Sequence, residues 1–175
     1  MHPPGTTAAR DAPPTTRQFL ERVRASTEER LREVLTQVDG DLRAVAPDAL
    51  PMFHAARDLT MRGGKRLRPA LLSAAVECVA PGAFPDAATD LGAALELFQT
   101  YLLIHDDWMD NDPVRRGAPS VHVTLGRHYG DAQLGASTAI LAGDMLSALT
   151  HEIVGSLDLP PPRRRAVVVA FGRME

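Results

Sequence analysis

A single cysteine, one tryptophan, two tyrosines and five phenylalanines in 175 residues leave the chain short of both thiols and aromatic rings. One thiol cannot close an internal disulfide, so the fold does not rest on a cross-linked framework. Cys78, set among Ala75, Val76 and Val79, reads as buried packing. Long apolar runs are missing too. No segment reaches the roughly 18 uncharged apolar residues of a membrane-spanning helix, and the opening MHPPGTTAARDAPPTT lacks the apolar core of a secretory signal. Cytoplasmic residence is therefore the expectation. Neither charge dominates, since 19 Lys and Arg face 22 Asp and Glu for a net charge of -3. A nucleic-acid surface needs a one-sided basic excess, so that class is excluded.

What is present suits a soluble globular domain. Hydrophobic residues make up 45% and charged residues 23%, and the length allows one domain with its own core. The bases gather at Lys65-Arg66, Arg68, Arg115-Arg116 and Arg163-Arg164-Arg165, a pattern suited to discrete anionic ligands.

Residues 1–16, rich in Pro, Thr and Ala, read as a tail, and 17–175 as part of one domain. Phe19, Val23, Leu31, Val34, Leu35 and Val38 recur at helical spacing and predict an amphipathic helix ending near Gly40. Met52, Phe53, Ala56 and Leu59 mark a second helix running into Gly63-Gly64. A third begins near Pro69, and its dense Leu71, Leu72, Ala75, Val76 and Val79 predict deep burial. The longest predicted helix covers about Ala87 to Met109, free of internal proline. A polar loop through Gly117 and Pro119 follows, then an apolar helix from Ala132 to Val154, a stop at Pro160-Pro161-Pro162, and a last helix that meets no stop signal before Glu175. Strand-length alternation and internal repeats are absent, so the expected fold class is all-α.

The most informative run is Leu102-Leu103-Ile104-His105-Asp106-Asp107-Trp108-Met109-Asp110-Asn111-Asp112, with four carboxylates in seven residues at the end of an apolar helix. At about 100° per residue, Asp106 and Asp110 fall one turn apart on one face with Asp107 beside them. Like charges there repel, and the negative end of the helix dipole adds to the repulsion. A divalent cation between them removes the conflict, and hard oxygens with waters left over suit Mg²⁺ bridging to a diphosphate. The bland alternative is a solvated acidic helix end. An EF-hand loop does not fit, because the alternating acidic positions and central glycine are missing.

Gly63-Gly64-Lys65-Arg66-Leu67-Arg68-Pro69 joins one helix to the next. Paired glycines let backbone approach a ligand, and Lys65 and Arg68 offer phosphate-binding charge. Taken alone, the run equally suits an ordinary helix junction with solvated bases. Arg115-Arg116 lies just past Asp110, within reach of the same polyanion or simply balancing the aspartates. Gln99, seven residues before Asp106, shares its face and needs a polar partner. His105 reads as a structural hydrogen-bonder.

In order and spacing, Gly-Gly-Lys-Arg-x-Arg-Pro, Glu96-x-x-Gln99, His-Asp-Asp-x-x-Asp and Arg-Arg-Gly-x-Pro, with Ala142-Gly143-Asp144 beyond, resemble the N-terminal portion of the trans-isoprenyl diphosphate synthase (polyprenyl synthetase) family. The resemblance covers residues 17–175 and is most like geranylgeranyl and farnesyl diphosphate synthases. It implies a bundle of antiparallel helices around a deep pocket, usually as a homodimer, using isopentenyl diphosphate, an allylic diphosphate and Mg²⁺. By the same resemblance Lys65, Arg68, Gln99 and Arg116 hold the diphosphate of isopentenyl diphosphate. Asp106 and Asp110 ligate the metal on the allylic diphosphate, Asp107 supports them, and Arg115 contacts that diphosphate. Together they neutralise charge on the departing diphosphate, which makes Asp106, Asp107, Asp110 and Arg115 the catalytic candidates. Tyr101 and Leu102 are candidates for the floor of the chain-length pocket, although the helical wheel sets Leu102 about 40° and Tyr101 about 140° from Asp106.

One departure from the family matters. Its second aspartate-rich motif has no counterpart here, since Asp144 and Asp158 stand isolated. The expectation is a prenyltransferase portion that does not ionise the substrate alone and that exposes apolar faces normally covered by later helices. The rival readings are a non-catalytic partner subunit or truncated product that binds prenyl diphosphates and, further off, a terpene cyclase, which has no need of Lys65 and Arg68.

Overall fold

The structure, a computed structural model, describes residues 15–83 and 85–174. Most of the expected tail, residues 1–14, lies outside the described residues, while Thr15 and Thr16 already belong to the first helix and its cap. Among the described residues the chain forms α1 (Thr16–Val45), a 3-10 turn (Pro47–Ala49), α2 (Leu50–Met61), α3 (Leu67–Val79), α4 (Pro85–Met109), the strands β1 (Val114–Arg115) and β2 (Ala118–Pro119), α5 (Val121–Tyr129), α6 (Ala132–Ser156) and α7 (Pro161–Phe171). The fold is all-α, with one two-residue antiparallel hairpin pairing Val114 with Pro119 and Arg115 with Ala118.

α1 begins with a reciprocal cap: Gln18 N–H donates to Thr15 Oγ1 at 3.3 Å, and Thr15 N–H donates to Gln18 Oε1 at 2.9 Å. It does not stop at Gly40. The i,i+4 pair Asp39–Arg43 at 2.6 Å and the packing of Leu42 on the core carry it to Val45, past one unfavourable residue. At 30 residues it is longer than α4, whose 25 residues were expected to form the longest helix.

Phe53, Leu59, Leu31 and Leu35 pack with Leu97, Ile104, Leu125, Leu146 and Val154 in the core between α1, α2, α4, α5 and α6. α3 departs from its expected depth. Only Pro69 and Ala70 are buried on it, while Leu67, Leu71 and Val79 are 52%, 71% and 86% exposed and Cys78 is exposed as well. Apolar density alone reads as burial on every side. Here α3 touches α1 and α4 with one face, and its other apolar face meets nothing among the described residues.

The stretch read as loop before residue 132 contains α5. Its signals were present: Ser120 precedes Val121, Val123 and Leu125, and Gly130, at φ 66°, ends the helix. Asp131 then caps α6, its Oδ1 accepting from Gln133 and Leu134 N–H at 2.8 and 3.0 Å. The prolines at 160–162 both stop and start: α6 ends at Ser156, and Pro161 opens α7, where a missing N–H costs nothing.

α5 and α6 meet backbone to backbone. A Cβ on Gly135 would fall 2.2 Å from Gly126 N and 2.9 Å from His122 O. Gly135→Ala is therefore expected to push α5 off α6 and cost about 1–3 kcal/mol in denaturant unfolding. Gly155→Ala, with nothing within 4 Å of the added methyl, is expected to leave stability unchanged or raise it by up to about 1 kcal/mol. Equal midpoints for the two variants would show that the helices do not meet at Gly135.

Candidate active site at the end of α4

The acidic end of α4 is closed by a Schellman arrangement. Asn111 takes the left-handed position at φ 56°, its N–H reaches Trp108 O at 3.3 Å, and Asp112 N–H reaches Asp107 O at 2.8 Å. Asp110 N–H still donates to Asp106 O at 2.8 Å, so those two aspartates remain one helical turn apart, both exposed. Asp107 differs from its neighbours, with a side chain fully shielded from solvent.

Arg115, on β1, is drawn into this cluster. Its Nε donates to Asp107 Oδ1 at 2.6 Å, its Nη2 also pairs with that oxygen, and the same Nη2 lies 3.4 Å from Asp106 Oδ2 and 3.3 Å from Asp112 Oδ2. The hydrogen bond to Asp107, aided by the charges of Asp107, Asp106 and Asp112, raises the guanidinium further above its ordinary range. Asp107 Oδ2, buried as well, has no hydrogen-bond partner among the described residues.

The glycine-rich junction between α2 and α3 is bent at Gly63 (φ 87°), Gly64 (φ 150°) and Arg66 (φ 48°). Lys65 and Arg68 come out exposed, with no ion pair or hydrogen bond to any described residue. Arg66 turns inward instead. Its side chain is 1% exposed, its Nη1 lies 2.6 Å from Glu96 Oε2, and its Nη2 donates to Thr60 O at 3.0 Å.

Two more arginines lace this junction to the hairpin. Arg62 Nη1, at the end of α2, donates to Arg115 O at 3.0 Å and Pro119 O at 2.9 Å. Arg116 Nη1 runs the other way, donating to Leu59 O at 3.2 Å and Gly63 O at 2.8 Å. Desolvation, with the like charge of Arg66 next, pulls the Arg116 guanidinium below its ordinary range. The carbonyls at the negative end of α2 are thus met by guanidinium groups. The hairpin's adjacent arginines reach opposite ways, Arg115 to the carboxylates and Arg116 to the basic junction.

Gln99, Leu102, Leu103, Asp106 and Met109 line one open groove of about 410 Å³ along α4, together with Tyr101 and His105. Leu102 is 42% exposed in it. Tyr101 lies at its edge, its ring 5.6 Å from Phe98 and 4.8 Å from His105. His105 Nε2 is 3.2 Å from Ile140 O and 3.5 Å from Asp144 Oδ1, which brings Asp144, isolated in sequence, beside the groove. Gly143 makes room for this, since a Cβ there would sit 2.5 Å from His105 Nε2.

The structure therefore brings Asp106, Asp107, Asp112 and Arg115 together, with Asp110 one helical turn from Asp106. It ties Arg116 to the junction that carries Lys65 and Arg68, and sets Gln99, Tyr101 and Leu102 along the groove that leads to Asp106. Sequence reasoning gave no part to Arg62 or Arg66. Composition cannot distinguish a buried arginine from a solvated one, although Glu96, a carboxylate in an apolar stripe, signalled that it needed a partner.

The arrangement defines a helical protein of the isoprenyl synthase type. Geranylgeranyl pyrophosphate synthetase from Pyrococcus horikoshii Ot3 shares the fold with a TM-score of 0.70 at 31% identity, over 90% of this chain and 43% of that one. Geranylgeranyl pyrophosphate synthase from Corynebacterium glutamicum, solved with isoprenyl diphosphate and magnesium, also gives a TM-score of 0.70, at 28% identity over 82% of this chain and 42% of that one. In sequence, the chain is 38% identical over 130 residues to the geranylgeranyl diphosphate synthase of Methanosarcina mazei, covering 73% of this chain and 37% of that protein. A probable farnesyl diphosphate synthase of Sinorhizobium fredii is 41% identical over 123 residues, 67% of this chain and 32% of that protein. The polyprenyl synthetase family profile matches residues 51–172, and the chain belongs to that family. It spans roughly two fifths or less of the length of the curated relatives named here.

Removing Arg115 strands a buried carboxylate. Arg115→Met is expected to destabilise the fold by about 3–5 kcal/mol. Adding Asp107→Asn should recover part of the loss, and a double-mutant cycle on unfolding free energies measures it. Strictly additive losses would show that the pair is not coupled.

Proposed function

We propose that this chain supplies one metal-binding wall and the isopentenyl diphosphate pocket of a short-chain prenyl diphosphate synthase. That enzyme joins isopentenyl diphosphate head to tail to an allylic diphosphate. The observation that carries the reading is the hairpin with opposed arginines, which fastens an acidic helix end to a junction bearing the free bases Lys65 and Arg68. Two diphosphates held side by side require that juxtaposition of metal-type and basic sites.

The donor set fits magnesium. Asp106 and Asp110 are exposed hard oxygen ligands one turn apart, and Mg²⁺ takes one or two carboxylates with water and substrate oxygens completing its shell. Among the described residues no group of three or more His, Cys, Asp or Glu side chains is placed to hold a metal ion by itself. When bound, the metal neutralises charge on the leaving diphosphate.

The chain's own residues do the rest. Lys65 and Arg68 grip the diphosphate of isopentenyl diphosphate, and Gln99 offers its amide from the groove. Arg115, held by Asp107, sets a fixed positive charge beside the allylic diphosphate. Leu102, Leu103 and Met109 give the hydrocarbon an apolar wall. The allylic carbon–oxygen bond breaks with its electron pair leaving on diphosphate. The double bond of isopentenyl diphosphate supplies the pair for the new carbon–carbon bond, and loss of a proton restores an alkene. No protein nucleophile is needed.

Calorimetry on single-wall variants tests this. Lys65→Ala with Arg68→Ala is expected to weaken isopentenyl diphosphate by at least about tenfold while leaving Mg²⁺-dependent binding of dimethylallyl diphosphate intact. Asp106→Asn with Asp110→Asn should do the reverse. Loss of both ligands together in each variant would contradict two separate sites. Radiolabelled isopentenyl diphosphate, given to the chain alone and mixed with a full-length homologue, separates a catalytic chain from a partner that only binds.

A further inference from the structure

We infer that Arg66 and Glu96 form a buried positioning pair, whose task is to fix the register of the glycine-rich junction on α4 so that Lys65, Arg68 and Gln99 face one diphosphate. The inference rests on the reading of Lys65 and Arg68 as ligand-binding bases.

Three bases stand in four positions, and they divide sharply. Lys65 and Arg68 are exposed and unpartnered, while Arg66 between them is 3% exposed and in the left-handed region at φ 48°. A non-glycine residue held there is strained, and strain of this kind persists only where surrounding contacts dictate it. The contacts are the 2.6 Å pair with Glu96, the 3.0 Å hydrogen bond to Thr60 O, and Glu28 Oε1 at 3.6 Å from Arg66 Nε. They draw the guanidinium toward α1, α2 and α4 at once.

Glu96 is 5% exposed and lies three residues before Gln99 on α4. One turn earlier on the same helix, Gly92 admits Pro69, whose Cβ lies 3.2 Å from where a Gly92 Cβ would stand. The junction is thus pinned to α4 at two points, by Arg66 on Glu96 between its two bases and by Pro69 on Gly92 just after the second. Turning Arg66 inward leaves Lys65 and Arg68, its neighbours at either end of the bend, directed outward. Buried ion pairs are weak sources of net stability against an apolar pair of the same volume, and selecting one arrangement of elements is the better reason to keep one.

The test uses the intact chain and inorganic pyrophosphate without metal. Affinity is measured by calorimetry and folding by circular dichroism for the wild type, Lys65→Ala, Glu96→Gln and Glu96→Asp. Glu96→Asp keeps the charge but shortens the arm by one methylene, so it probes register even if Glu96→Gln fails to fold. The expected result is that the folded Glu96 variants lose pyrophosphate affinity by on the order of tenfold to a hundredfold, as small misplacements of binding groups do. They should keep wild-type binding of Mg²⁺ at the aspartates. A purely structural role would lower the melting temperature while leaving the affinity of the folded molecules alone. Wild-type pyrophosphate affinity in folded Glu96→Asp, alongside clear loss in Lys65→Ala, would overturn the positioning role and leave the basic site standing. Absence of pyrophosphate binding by the wild type, or its indifference to Lys65→Ala, would overturn the basic site and the positioning role together.

Discussion

The polar end of this bundle is organised by one carboxylate that water does not reach. Asp107 sits fully buried at the last turn of α4, and a charge there persists only with a charged partner against it. Arg115 is that partner, and because Arg115 belongs to the hairpin, the requirement fixes where the chain leaving α4 turns back. Asp106 and Asp112 then fall within the reach of the same guanidinium. Asp106 and Asp110 stay exposed, one helical turn apart.

On the other side of the hairpin, arginines are spent on architecture so that fewer bases remain for ligands. Arg62 and Arg116 exchange hydrogen bonds between α2 and the hairpin in both directions, and Arg66 is consumed by Glu96 and Thr60. Six basic residues at 62–68 and 115–116 thus fall into unlike groups. Those bound to carbonyls and buried carboxylates hold the scaffold, and Lys65 and Arg68 carry charge into solvent without a partner. Motif resemblance alone assigns Arg116 to a ligand, whereas its two backbone carbonyls show how much of its hydrogen-bonding capacity goes to the junction.

Much of this was legible before the coordinates. The helices from 50, 85 and 132 follow from apolar spacing bounded by proline and capping residues, and the family follows from ordered short motifs. The depth of α3 was not legible, because periodicity reports how many apolar residues a helix carries and says nothing about whether a neighbour exists to cover them. The continuation of α1 through Gly40 escaped for a related reason, since a local propensity was outweighed by a tertiary contact at Leu42. Arg66 and Arg62 were hidden because burial of a long cationic chain is decided by a partner distant in sequence: Glu96 for the first, the carbonyls of Arg115 and Pro119 for the second.

Gly143 has a consequence for the neighbouring groove. Its missing side chain leaves the space in which the His105 imidazole lies, and that imidazole forms part of the groove wall next to Tyr101. The bulk of residue 143 therefore acts at one remove on the calibre of the channel: a larger group behind the imidazole displaces it toward the cavity. A position that does not line the groove can in this way set its calibre, separately from the residues that do.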